Sequence, residues 1–80
     1  MEVTLKYFGI IADIAQKKEE PIFIGQDSNT VKKLQSFIEV KYPKILVINY
    51  SIAVNEKFLQ NDVELKNNDI IAFLPPFAGG

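Results

Sequence analysis

The sequence predicts an α+β fold: a mixed sheet of four to five strands, one main helix covering it, and a short helix after the first strand. Three stretches carry this prediction. Val3, Leu5 and Tyr7 alternate with Glu2, Thr4 and Lys6, the period of a strand with one buried face. Val31, Leu34, Ile38 and Tyr42 lie close to one helical stripe, with Phe37 beside it and Lys32, Lys33, Gln35, Ser36 and Glu39 facing away. Ile70 to Leu74 is apolar at every position, as expected of a central strand.

The remaining elements follow in order. Phe8 breaks the opening alternation, because by period two it falls on the face of Glu2, Thr4 and Lys6. Either the strand ends at Tyr7 and Phe8 tucks into a core edge, or Phe8 joins an outward patch. After Gly9, the spacing of Ile10, Ile11 and Ile14 suits a short helix. Lys17-Lys18-Glu19-Glu20 reads as a solvated loop. Pro21 to Ile24 reads as an edge strand, with proline at the first position, where a missing N–H is tolerated. Asp27-Ser28-Asn29-Thr30 is rich in helix-capping residues, and Pro43 stops the main helix. Within the strand-forming stretch from Ile45 to Val54, Ser51 to Val54 is the expected strand. Asn55-Glu56-Lys57 is a turn, followed by a short Phe58-Leu59 segment. Asp62 to Leu65 is a small turn or strand. Lys66 to Asp69 is a tight turn in which asparagine takes a left-handed conformation.

Composition narrows the chemistry. The 80 residues are 48% hydrophobic and 24% charged, with a formal net charge of −1, a globular balance with no basic field to draw nucleic acid. There is no Cys, His, Trp or Arg. The usual zinc, iron–sulfur and haem ligands are therefore missing, as are a thiol nucleophile and a Ser-His or Cys-His pair. The acidic residues form no clustered pair spaced for Mg²⁺ or Ca²⁺, so no metal site is expected. The opening Glu2-Val3-Thr4-Leu5 is not a basic region followed by an apolar one, and no run is long enough to span a bilayer. A cytoplasmic protein with no membrane or nucleic-acid partner is expected.

The working part is expected at the end, in "FLPPFAGG". The domain is expected over residues 1–74 and a tail over 75–80. Pro75 and Pro76 donate no ladder hydrogen bonds, so the sheet must release the chain there, and paired prolines favour a stiff polyproline exit. The residues after Leu74 reach roughly 20 Å when extended, at about 3.3–3.6 Å each. Phe77, Ala78 and Gly79 would thread into a partner, where glycine lets a narrow channel approach the backbone. The Gly80 α-carboxylate is the one reactive handle on offer. It is a poor electrophile alone, but joined to AMP it gains a good leaving group, which a sulfur donor could displace to leave a thiocarboxylate. The last strand also makes an inference about the uncovered sheet face. If Ile71 and Phe73 point to the helix, then Ile70, Ala72 and Leu74 point outward, and Phe8 joins them in a patch that marks a partner surface.

The element order resembles the β-grasp arrangement of ubiquitin-like proteins, in which the first and last strands lie side by side at the sheet centre. Three stretches make the resemblance more specific. "VTLKYFGIIADIA" (3–15), "AVNEKFLQNDVELKNNDIIAFLPP" (53–76) and the ending "AFLPPFAGG" (72–80) are similar to the small, sulfur-carrier subunit of molybdopterin synthase. The resemblance implies that an adenylyltransferase related to ubiquitin-activating enzymes adenylates Gly80 using ATP and Mg²⁺. A sulfur donor protein then supplies the sulfur, and no cofactor is permanently bound. It further implies that the tail inserts into the large subunit of the synthase, in a heterotetramer of two small and two large subunits. There sulfur passes to cyclic pyranopterin monophosphate in molybdenum cofactor biosynthesis. The family's apolar docking positions map onto Phe8, Phe58 and Leu74.

Some residues depart from the family pattern. Ala12 and Asp13 stand where an Arg-Glu pair is frequent, Asn68 replaces a glycine, and Phe77 replaces a smaller aliphatic residue. Other readings are a sulfur carrier for thiamine-thiazole synthesis or tRNA thiolation, a β-grasp binding module without sulfur chemistry, and conjugation of Gly80 to lysines.

Overall fold

The computed structural model describes residues 1–59 and 61–76. Five strands, β1 (Glu2–Tyr7), β2 (Glu19–Phe23), β3 (Ser51–Val54), β4 (Lys57–Phe58) and β5 (Ile70–Leu74), form one sheet. Its order is β2-β1-β5-β3-β4. β1 and β5 run parallel, while the β1–β2, β5–β3 and β3–β4 pairs are antiparallel. The main helix α2 (Val31–Lys41) packs on one face, and the short helix α1 (Gly9–Ala15) follows β1 directly. The expected α+β plan and the central placement of the last strand are thus observed.

The core follows the alternation. Val3, Leu5 and Tyr7 of β1 and Ile71 and Phe73 of β5 point to α2, which offers Val31, Leu34 and Ile38 in return, all nearly inaccessible to solvent. Tyr7 packs edge-on against Tyr42, and its ring lies 5.8 Å from that of Phe73. Tyr50 also packs against Phe73, with ring centroids 5.6 Å apart. Aromatic pairs at these spacings add to simple area burial. Phe37, beside the stripe, is exposed.

The start of α2 shows why its capping residues are where they are. The first N–H groups of a helix lack partners within it. Here Val31 N donates to the Val63 carbonyl at 3.0 Å, Lys32 N to Asp62 Oδ1 at 2.9 Å and Lys33 N to Thr30 Oγ1 at 3.3 Å. The segment read as a small turn or strand is therefore a strap. It carries a single bridge, Thr30 to Glu64, and holds the N-terminus of α2. The turn before β5 places Asn68 at φ +71°, as expected, with its N–H donating to the Glu2 carbonyl at 2.7 Å.

Three expectations are corrected. β2 begins at Glu19, so Glu19 and Glu20 belong to the ladder and not to a solvated loop. Glu20 is buried because it shares the parity of Ile22 and Ile24 and thus the inner face. Pro21 lies in the middle of β2 rather than at its first position, opposite Thr4. Backbone bonds at both ends of the ladder, Tyr7 N to Lys18 O and Ile24 N to Met1 O, make Thr4–Pro21 a non-hydrogen-bonded pair. The missing N–H therefore faces the outer edge, where it breaks no ladder bond and blocks addition of a further strand. Pro43–Val47, part of which lay in the strand-forming stretch, is a 3₁₀ turn that buries Ile45.

Candidate functional site

The sheet face opposite α2 carries the candidate docking surface. Strand register sets one row across it: Lys6 of β1 beside Ala72 of β5, then Ala53 of β3, then Phe58 of β4. Two alanines at the middle of this row leave a depression between larger neighbours. Phe8, Phe58, Ile70 and Leu74 border it, giving a groove of about 540 Å³. Phe8 is 44% exposed, Phe58 65% and Ile70 41%, high values for side chains this apolar.

Phe8 settles between its two readings. β1 does end at Tyr7, but Phe8 is not core: it is the extended N-cap residue of α1, with φ −129° and ψ 150°, and it lines the groove. Phe58 reaches the groove because Asn55 and Glu56 make a tight turn at φ +50° and +71°, pairing Lys57 and Phe58 back onto Val54 and Ala53. Both central residues at positive φ is the arrangement that suits hairpin twist. Asn55 also ties this hairpin to β5. Its Oδ1 accepts from Ile70 N at 3.0 Å, and its Nδ2 donates to Asp69 Oδ1 at 2.9 Å. The structure thus brings the candidate residues Phe8, Phe58 and Leu74 to one face. Lys6 and Glu56 add opposite charges at the margin of the groove.

At the same end of the sheet, β5 stops at Leu74, followed by a half-buried Pro75 and an exposed Pro76. The remaining tail residues, Phe77, Ala78, Gly79 and Gly80, lie outside the described residues. Among the described residues no group of three or more His, Cys, Asp or Glu side chains is placed to hold a metal ion. Among them too, no helix is long and apolar enough to cross a membrane.

A second polar feature went unseen in the sequence. Glu20, on the inner face of β2, accepts hydrogen bonds from Tyr7 Oη at 2.5 Å, Tyr42 Oη at 2.9 Å and Lys41 Nζ at 3.0 Å. Lys17 Nζ stands 3.6 Å away. Burial pushes the Glu20 carboxyl up, but the hydrogen bonds from Tyr7, Lys41 and Tyr42 outweigh it and hold the group at about 2. For Tyr7, burial and then the adjacent Glu20 carboxylate raise the phenol far above its ordinary range. Every buried partner is satisfied, and the cluster lies on the helix side of the sheet, away from the groove. It is a structural tie joining β1, β2 and α2. The signal that could have found it is the parity of Glu20 with Ile22 and Ile24.

A mixed sheet holding one helix, with parallel first and last strands adjacent at its centre, defines a ubiquitin-like β-grasp protein. The chain belongs to the ThiS family, whose model matches residues 5–80, and so to the β-grasp sulfur carriers. Among solved structures, it is similar to a molybdopterin converting factor subunit 1 from Pyrococcus furiosus (26% identity, 96% of this chain and 99% of that one, TM-score 0.84). It is also similar to a chain in the complex of subunits 1 and 2 of molybdopterin-converting factor from Helicobacter pylori (28% identity, 100% of both chains, TM-score 0.74). SAMP1 from Haloferax volcanii shares the fold, with a TM-score of 0.82 at 17% identity over the whole of both chains.

Proposed function

We propose that this chain is the sulfur-carrying small subunit of a molybdopterin synthase. The observation that carries the proposal is the continuity of the apolar groove with the exit strand. β5 contributes Ile70, Ala72 and Leu74 to the groove and then releases the chain at Pro75. A partner held on that face would meet the tail as it leaves the sheet. The similarity to a chain of the Helicobacter pylori protein–protein complex of subunits 1 and 2 supports a large-subunit partner here.

The chemistry requires little of the body of the protein. An activating enzyme joins the Gly80 carboxylate to AMP, consuming ATP and releasing pyrophosphate. Hydrosulfide-level sulfur released by the donor then attacks the acyl carbon, the bond to the phosphate oxygen breaks, and AMP departs with its electron pair to leave a thiocarboxylate. In the large subunit, the thiocarboxylate sulfur bonds to a carbon of cyclic pyranopterin monophosphate as that carbon's bond to oxygen breaks, the oxygen leaving as water in one round and staying on the opened phosphate in the other. Water then cleaves the acyl–sulfur bond and restores the carboxylate. Two such rounds give the dithiolene. This chain supplies docking and presentation: Phe8, Phe58 and Leu74 fill partner pockets, and Phe77, Ala78 and Gly79 thread toward the catalytic centre of the heterotetramer. The absence of cysteine means that no thiol of this chain can capture the activated terminus.

Two comparisons test this. Binding to a molybdopterin synthase large subunit, with sulfur delivered to the pterin precursor, supports the proposal. Binding to a thiazole synthase or a tRNA-thiolating enzyme in its place would move the chain to another branch of sulfur carriage. The paired prolines favour the first outcome, because the other carriers usually lack them.

A further inference from the structure

Gly9 opens α1 at φ +55°. Positive φ alone does not explain a glycine in this chain. Gln16, Asn55, Glu56 and Asn68 hold φ between 50° and 71° with full side chains. What sets Gly9 apart is its neighbour. Tyr7 pairs with Phe73 across the parallel β1–β5 ladder, so two residues further along each strand the chains are still side by side. A Cβ at Gly9 would stand 3.0 Å from Cγ of Pro75. Carbon atoms settle at about 3.5–4.0 Å, so the Pro75 ring occupies the space a side chain would need. That ring closes on its own backbone nitrogen and holds φ near about −65°. Making room moves the ring by a few tenths of an ångström, and whatever its pucker does not absorb turns the main chain where the tail leaves the sheet.

We propose that Gly9 is a positioning residue: it seats the Pro75 ring and so aims the Pro75–Pro76 exit toward the enzymes that act on the terminus. The seat itself is mechanical, whereas its consequence for sulfur transfer rests on the sulfur-carrier reading. Gly9 touches no reacting atom. It acts through Pro75, as a misplacement of even about 1 Å far from the chemistry can cost a large factor in rate.

Gly9→Asn separates the two demands, because asparagine tolerates positive φ but brings a Cβ. The test is made on the full chain, with Cα–Hα residual dipolar couplings and single-turnover thiocarboxylate formation measured together. The expected result is altered couplings at Pro75 and Pro76, with those inside β1 and β5 unchanged. Turnover at saturating activating enzyme should fall about tenfold or more, with affinity for the large subunit held at the wild-type value. Should Gly9→Asn fail to fold, Pro75→Ala removes the seated ring while leaving Gly9 untouched. It should likewise change the Pro76 couplings and slow turnover. Wild-type couplings in the folded variant, or altered couplings with wild-type turnover, would overturn the proposal. A wild-type chain that takes up no sulfur would overturn the carrier reading and the aiming role with it, while the couplings still decide whether Gly9 seats Pro75.

Discussion

The Tyr7 hydroxyl donates to the Glu20 carboxylate at 2.5 Å, joining adjacent strands inside a core that is otherwise apolar. Tyr42 and Lys41 reach the same carboxylate from the end of α2. A buried charge is tolerated only where partners replace its hydration, and here three hydrogen bonds do so.

This tie predicts an acid-sensitive stability. Glu20 is held at about 2 in the folded chain against an ordinary 4.5. A carboxyl lowered by folding stabilises the protein above its unfolded value and loses that contribution as pH falls through the folded one. Denaturant unfolding should therefore show stability near its plateau above pH 4.5, then a loss of about 3 kcal/mol on descending toward pH 2, at 1.36 kcal/mol per pKa unit. Glu20→Gln should cost about 2 kcal/mol at neutral pH and flatten that acid limb. An unchanged acid limb in the variant would assign the loss to other carboxyls.

The alkaline side has the opposite sign. Burial, and then Glu39, push the Tyr50 phenol from its ordinary 10.0 to about 12. Its contribution is complete below pH 10 and is lost as pH rises toward 12. Tyr50→Phe should weaken the alkaline dependence measured in the same unfolding series.

The β3–β4 turn offers a stabilising change. Glu56 holds φ +71° with a side chain that gains nothing from it, whereas Asn68 at the same φ is of a type that tolerates the left-handed region. Glu56→Gly should raise stability by about 1 kcal/mol, or roughly 4–8 °C in Tm. Asn68→Gly should gain less. Equal gains would show that the asparagine side chain brings no relief at Asn68.

The open face and the core should respond differently to substitution. Phe8→Lys and Phe58→Lys alter exposed groove residues, so thermal unfolding should stay close to wild type while affinity for a synthase large subunit falls at least about tenfold. Phe73→Ala, by contrast, empties a fully buried site and should cost about 3–5 kcal/mol. Unfolding of Phe8→Lys would make Phe8 part of the core.

Much of this was legible in the sequence because periodicity reports burial directly. The alternation of Val3, Leu5 and Tyr7 and the stripe on α2 gave the inner face. The outward parity of Ile70, Ala72 and Leu74 gave the groove. What escaped was decided by contacts distant in sequence. Glu20 looked solvated within a charged run, since only the folded chain brings Tyr42 and Lys41 to it. Pro21 was placed at a strand start because its harmless position depends on which of its neighbours bond to β1. Gly9 gave no sign of its role, for the Pro75 ring that fills its space lies far along the chain.

The proposed chemistry takes place at the Gly80 carboxylate, where an intact-mass measurement reads it. The full chain is incubated with ATP, Mg²⁺, the cognate activating enzyme and a sulfur source, and the modified residue is located by fragmentation. One oxygen should exchange for one sulfur at Gly80, and the exchange should be abolished when Gly80 is deleted while the fold persists. An unmodified Gly80 under conditions that charge a known carrier would contradict it, leaving a β-grasp binding module whose terminus carries no sulfur.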